Sequence, residues 1–314
     1  MVTNCSFEST SSCLRNDQYG CGRGTETNST TGFITVLRNN HFRCAYRHVW
    51  LDWPYCNSPN EMSVTLQQNT FQQYELGYYY YYYSAAVELD LSNVLLVVTH
   101  NTFVNIRKNA LSVDFRNAID SDVVFSDNVF TAVQGDFVVL VHCPSQIHYQ
   151  NISFTRNDFY FNSATTTVLT SCAGLFLTEN VFVNPLAIHD YKVSVQYADT
   201  AMMFAPLNYW NATTFGEVAV RVFDHTDDES LAVVQVSPWY LDTNRTQTAS
   251  GRHMFFTGPF EIGGQMESNV TLSSTEQPYR VTQNILVPYG YLLVIEAGVK
   301  LMFANGGITV KGEC

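Results

Sequence analysis

The sequence predicts an all-β chain: a right-handed parallel β-helix (a solenoid), followed by a closing block and the start of a second β-helix. Three observations carry that expectation. A phrase ending in Asn-x-Phe returns six times at near-constant spacing. The segments around it are rich in Val, Ile, Phe and Thr and leave no room for helices of ten or more residues. Only 14% of the residues are charged, and most of the polarity comes from Asn, Thr, Ser and Gln, a balance suited to an extracellular β-rich protein.

The phrase is an apolar residue, two or three mostly polar ones, then Asn-x-Phe. It reads VLRNNHF (Asn40, Phe42), VTLQQNTF (Asn69, Phe71), LVVTHNTF (Asn101, Phe103), VVFSDNVF (Asn128, Phe130), ISFTRNDF (Asn157, Phe159) and LFLTENVF (Asn180, Phe182). Successive Asn positions are 29, 32, 27, 29 and 23 residues apart. Self-similarity at this period marks a solenoid or propeller. The close Leu spacing of leucine-rich repeats and the Trp-Asp and Gly-His marks of propeller blades are missing, so one coil of strands per repeat fits best. Each Phe is expected to point inward and stack on its copy one coil away. Each Asn is expected at a bend, in left-handed geometry, with its amide bonded to the copies above and below. TNCSF, with Asn4 and Phe7, reads as a degenerate earlier copy.

The chain has 314 residues, 46% of them hydrophobic, enough for a long core. A net charge of −12 disfavours nucleic acid and anionic membranes as partners. The run Tyr78 to Tyr83 cannot all face inward, because strand side chains alternate. It reads as a low-complexity loop between coils, with an aromatic contact surface as the sharper alternative.

Eight cysteines and six Asn-x-Ser/Thr sequons point to a secretory route. The sequons are at Asn4, Asn28, Asn151, Asn211, Asn244 and Asn269, Asn4 being the weakest because Cys5 fills its middle position. Cys143 and Cys172 are 29 residues apart, one coil, and can bond along the helix axis; Cys44 and Cys56 flank RHVWLDWPY and can staple a loop. No zinc-type C-x-x-C pair occurs. The first twenty residues hold no apolar signal-peptide core and GITVKGEC stops within a strand-like pattern, so the chain reads as a segment of a larger protein.

After Pro185 the Asn-x-Phe phrase gives way to a different block, Ala205 to Asp242, with Asn208, Tyr209, Trp210 and Asn211 at a turn. Residues Phe215 to Phe223 suit a short helix or a strand equally. The domain expectation is coils over 1–200, a closing block over 201–256 and truncated opening strands of a second β-helix over 257–314. The block resembles one that closes many β-helix domains, with Asn211 in place of the usual Gly. The last segment resembles an opening phrase of such domains. Pro278, Tyr279, Val281 and Thr282, then Pro288 and Gly290, then Ile295, Glu296, Gly298, Val299 and Phe303 stand at its positions. In that order the motifs resemble the extracellular region of bark beetle-type proteins, large animal transmembrane proteins with parallel β-helix repeats. The resemblance covers roughly residues 30–312. It implies a role in cell–cell contact at tricellular junctions, with other cell-surface proteins, a second copy or glycans as partners, and the membrane reached only through parts outside this chain.

The catalytic alternative is a polysaccharide lyase or hydrolase on the same scaffold, or a carbohydrate-binding surface derived from one. Inverting hydrolysis needs paired carboxylates across the substrate, and Asp227-Asp228 is the only adjacent Asp pair, with no Gly-His-Gly. Asp224, Asp227, Asp228 and Glu229 read as a solvated acidic turn, with calcium as a minor alternative. The chain has four Lys, its Arg residues form no evident cluster with acids, and its eight His are scattered. Gly20, Gly22 and Gly24 form a Cys-linked turn rather than a phosphate loop, and no hydrolase or metalloprotease motif occurs. The expectation is a non-catalytic structural or adhesive ectodomain without cofactor or metal. Acidic and basic side chains gathered on one face of adjacent coils discriminate the two readings, and three or more buried-edge carboxylates around a groove with a nearby Arg or Lys would favour the carbohydrate reading.

Overall fold

The computed structural model describes residues 1–9, 13–17, 34–44, 47–53, 63–73, 85–91, 95–115, 122–144, 151–196, 202–228, 230–250, 260–266, 269–287, 289–304 and 307–311. Up to residue 250 these form a parallel β-helix. Sheet 1 stacks Val2–Thr3, Ile34–Arg38, Ser63–Gln67, Leu95–Thr99, Asp122–Ser126, Asn151–Thr155, Leu175–Thr178, Met202–Phe204 and Val233–Gln235 in that order. Sheet 2 stacks Ser6–Ser9, His41–Cys44, Thr70–Gln73, Thr102–Val104, Val129–Thr131, Asp158–Tyr160 and Val181–Val183. Sheet 3 stacks Leu14–Asp17, Val49–Trp53, Ala85–Leu91, Asn109–Phe115, Phe137–His142, Thr166–Thr170, His189–Val193 and Val222–Phe223. Every neighbour within these three stacks is parallel and comes from the adjacent coil, as a solenoid requires.

The Asn-x-Phe phrase spans the bend from sheet 1 to sheet 2. The column Phe7, Phe42, Phe71, Phe103, Phe130, Phe159, Phe182 runs through the core with ring centroids 4.6–5.1 Å apart. Offset stacking of buried rings adds to the burial of their apolar area. Beside it runs a one-way amide ladder. The backbone N–H and side-chain amide of each Asn donate to the Oδ1 of the Asn one coil on, as in Asn101 to Asn128 at 2.9 and 3.0 Å. The same amide donates back to a carbonyl of the previous coil, Leu66 O for Asn101 at 2.8 Å. The buried amides are thereby satisfied, which the low dielectric of the core demands.

Two expectations about this ladder are corrected. The left-handed residue is not the ladder Asn but the one before it: Asn39, Gln68, His100, Asp127, Arg156, Glu179 and Leu207 have φ between 55° and 58°, apart from Arg156 at 53°. The ladder Asn must aim its amide inward, so the preceding residue makes the sharp turn and sends its own side chain outward. The repeat also does not end after Pro185. Asn208 Oδ1 accepts from Asn180 N–H at 2.8 Å, and Trp210 stacks on Phe182 at 4.8 Å and 8°. The Asn-Tyr-Trp turn is therefore a further copy of the phrase with Trp in the Phe position. At the other end Phe7 stacks on Phe42, while Cys5, not Asn4, holds the ladder position and donates its N–H to Asn40 Oδ1.

The boundary expected at residue 200 falls within this solenoid, since Met202–Phe204 and Val233–Gln235 extend sheet 1. The helix Phe215–Arg221 fills the last turn into sheet 3. Thr214 caps it in a reciprocal box with Glu217, and Val218 faces the core. Arg221 reaches back from the helix to the fully buried Asp190 (2.7 Å) and to the carbonyls of Ala187 and Asn184. Thr167 and Asn184 complete the shell of Asp190 at 3.0 Å each. Trp239–Tyr240 then pairs antiparallel with Thr248–Ala249.

Residues from 260 onward have their own core of Ile262, Met266, Leu272, Tyr279, Val281, Ile285 and Val287. There Glu261–Gln265, Tyr279–Val287, Leu301–Phe303 and Ile308–Val310 form parallel pairs, and Val270–Leu272 pairs parallel with Leu293–Ile295. Parallel pairing agrees with the expected opening of a second β-helix. Gly290 and Gly298 sit at φ of 83° and 88°, where a side chain would be strained. Pro288 lies outside the described residues.

Cys143 and Cys172 are bonded along the axis as expected, with Cα atoms 5.0 Å apart. Cys44 is not free to pair with Cys56, because it is bonded to Cys13. Cys13 lies at the entry to sheet 3, where Leu14 pairs with Val49 of the next coil, and it meets the buried Cys44 at the end of that coil's sheet 2 strand, so the bond crosses between adjacent coils at the corner of the two sheets. Cys56 lies outside the described residues, as do Cys21 and Cys314.

Candidate functional site

The outer face of sheet 3 concentrates the side chains with recognition chemistry. Along each strand the core takes Leu51, Leu89, Val113 and Val141, so the residues on either side of them stand on the opposite face. One outward row is Trp50, Glu88, Ser112 and Leu140, in register across four strands. The second is Asp90, Asp114 and His142. Neighbouring parallel strands lie about 4.8 Å apart, and like charges directly opposite one another are unfavourable. Asp90 and Asp114, direct partners on adjacent strands, therefore work against folding and single this face out from ordinary surface.

Cations gather beside it. Arg47 pairs with Glu88 at 2.8 Å, and its guanidinium lies 4.2 Å from the centre of the Trp50 ring. Lys108, just before the strand Asn109–Phe115, has its ammonium pushed down to about 7, by burial first and then by Arg47, with Glu88 acting in the opposite sense. The stretch is positioned by close packing: a Cβ on Gly135 would collide with the backbone N of Asn109. Glu88 is paired with Arg47 and Asp90 is buried, so neither carboxylate stands free in water. The arrangement combines an aromatic plane, hydrogen-bond acceptors and two cations on one flat, rigid face. At the far end of the row, Ser171 Oγ lies 2.8 Å from His142 Nδ1, accepts from Cys143 N–H and lies 3.0 Å from Cys143 O. These contacts stay within the disulfide-bearing turn, so the pair clamps that turn.

His48 lies beneath the face, fully buried against the edge of Phe71, with Nε2 2.7 Å from Gln72 O. Burial pulls it down to about 4, so it is neutral at pH 7 and Nε2 donates. A folded value below the unfolded one means stability that is full above pH 6.5 and lost as pH falls toward 4. The slope approaches about 1.4 kcal/mol per pH unit and sums to about 3 kcal/mol. Denaturant midpoints at pH 7, 5 and 4 should fall more steeply for the wild type than for His48→Gln. Equal slopes would remove His48 as the cause.

The other expected residues fall elsewhere. The acidic turn is not simply solvated: Asp224 is buried, and its carboxylate accepts from Thr226 N–H, Thr226 Oγ1 and Val234 N–H at 2.7–2.8 Å. The first carboxylate of the cluster is thus spent holding the turn together, and Glu229 lies outside the described residues. Among the described residues no group of three or more His, Cys, Asp or Glu is disposed to hold a metal. Asn4, Asn151, Asn211, Asn244 and Asn269 are all exposed, and none stands on the outer face of sheet 3. Asn211 is left-handed at φ 53°, the geometry the usual Gly would take. Asn28, the glycines 20, 22 and 24 and the run Tyr78–Tyr83 lie outside the described residues. In sequence the Tyr run leads directly into Ala85–Leu91, the strand of Glu88 and Asp90.

Sequence reasoning missed the face because Trp50, Glu88 and Ser112 are 38 and 24 residues apart. Unequal loops hide a register that the strands restore. No family model, no curated protein and no solved structure matches the chain.

Proposed function

We propose that this chain is a non-catalytic adhesive scaffold of the cell exterior, a rigid β-helical rod that meets its partner through the outer face of sheet 3. The observation that carries the reading is the in-register surface of Trp50, Glu88, Asp90 and Asp114, mounted on coils that the amide ladder and two disulfides hold in place. Aromatic and arginine side chains at the centre of a polar surface are what recognition faces use. Disulfides fit an oxidising compartment, and no helix among the described residues is long and apolar enough to cross a membrane. The motifs that resemble bark beetle-type proteins favour contact between cells as the setting.

A second reading is favoured by a specific observation. Glu88, Asp90 and Asp114 on adjacent coils, with Arg47 and Lys108 beside them, gather acidic and basic side chains on one face, a feature that favours a carbohydrate-acting or carbohydrate-binding surface. Binding ranks above turnover because Glu88 is held by Arg47 and Asp90 is buried.

Beads coated with the chain should adhere to cell monolayers. The pair Trp50→Ala, Glu88→Arg should reduce adhesion at least about tenfold, the loss of roughly one 1.4 kcal/mol contact. Adhesion unchanged by that pair would remove the sheet 3 face from the proposal. Measurable depolymerisation of a polysaccharide panel would replace the scaffold reading by the enzymatic one.

A further inference from the structure

The outer face of sheet 1 carries an aromatic pair that the adhesive reading does not use. Phe176 and Phe204 are 50% and 41% exposed, on adjacent strands, with parallel rings 6.1 Å apart and 7° between planes. Two large apolar rings side by side in water are costly unless something covers them. The strand next to Phe176 is Asn151–Thr155, and Ser153 is the direct partner of Phe176. Asn151, Ser153, Phe176 and Phe204 all point to the same side, since Ile152, Phe154, Leu175, Leu177 and Met203 fill the core between them. Asn151-Ile152-Ser153 is a sequon, and Asn151 is exposed.

We propose that Asn151 carries an N-linked glycan whose core sugars lie across the Phe176–Phe204 pair. The geometry suits such an occupant. One strand over and two residues along places Phe176 about 8 Å from Asn151 between Cα atoms, within reach of the first sugars attached to the amide nitrogen. Phe204 continues the same row in the direction of growth. A pyranose ring has one face lined by C–H bonds, which packs on an aromatic plane as any apolar surface does, while its hydroxyls stay in water. Of the five described sequons, Asn151 is the one whose own third residue is in register with an exposed aromatic side chain of the neighbouring strand. The glycan shields the aromatic pair on sheet 1, away from the strands of sheet 3.

This inference rests on the extracellular reading, and the test separates the two. The full chain, secreted from eukaryotic cells behind a leader peptide, is mapped for glycan at each sequon. Thermal unfolding is then compared for wild type and Phe176→Ser, each with and without Asn151→Gln. Expected are occupancy at Asn151 and a fall of about 2–4 °C on losing the glycan in the wild type, shrinking to under about 1 °C in the Phe176→Ser background. Occupied Asn211 and Asn244 with bare Asn151, or an equal fall in both backgrounds, would overturn the glycan contact alone. A chain retained in the cell with every sequon bare would overturn the extracellular reading and this inference with it.

Discussion

Phe130→Ala should destabilise the β-helix by about 3–5 kcal/mol, the loss typical of a large buried aromatic. Phe130 is 1% exposed and sits mid-column, 4.6 Å from Phe103 and 4.8 Å from Phe159. Each neighbouring ring is fixed by the strand register of its own coil, so none can slide into the space left behind. The cavity therefore stays open and the full cost is felt, including the lost contacts on both ring faces. Urea unfolding of the two proteins measures it. A loss below about 0.5 kcal/mol would be that of a surface residue and would dismantle the column.

Arg221→Met should cost a similar amount, about 3–5 kcal/mol at pH 7, by stranding a buried carboxylate without its cation. In the wild type, burial pushes Asp190 up and Arg221 pulls it back down. Burial outweighs its partners, so Asp190 already stands above its ordinary value in the wild type, and without Arg221 it rises further. Such a group gives stability that is present below the unfolded value and lost as pH rises through the folded one. The variant should therefore close part of its gap to the wild type as pH falls from 7 toward 4, where Asp190 takes up a proton. Asp190→Asn in the same background should recover part of the loss at pH 7. A gap that is small, or that does not change with pH, would place the ion pair outside the stability of the closing turn.

The parts of the fold legible in sequence are those whose physics repeats with the coil. The Asn-x-Phe phrase was readable because one backbone bend demands the same amide and the same ring in every turn. Its continuation into Asn208 and Trp210 was hidden by a change of aromatic residue and by the unlike sequence after Pro185. Cys143–Cys172 was legible because 29 residues is one coil here. Cys13–Cys44 also joins adjacent coils but lies out of register, since Leu14 pairs with Val49, so no coil spacing points to it and nearness in sequence favours Cys56 instead. The left-handed turn went to the wrong residue for a related reason. Asn tolerates that geometry, but its amide was needed inside, so Gln68, His100 and even Leu207 turn the chain instead.

The candidate site was the least legible element. Trp50, Glu88, Asp90 and Asp114 share no motif and no period, and their association exists only through strand register. A composition poor in lysine argued against a cationic partner for acids. One Lys and one Arg suffice once the strands bring them to the same face.

Disulfide mapping of the non-reduced chain by peptide mass tests the coil register most directly. The stacked coils predict one linked pair joining Cys143 to Cys172 and another joining Cys13 to Cys44. Cys44 linked to Cys56, or Cys143 linked to anything but Cys172, would contradict the coil-on-coil arrangement on which the sheet 3 face depends.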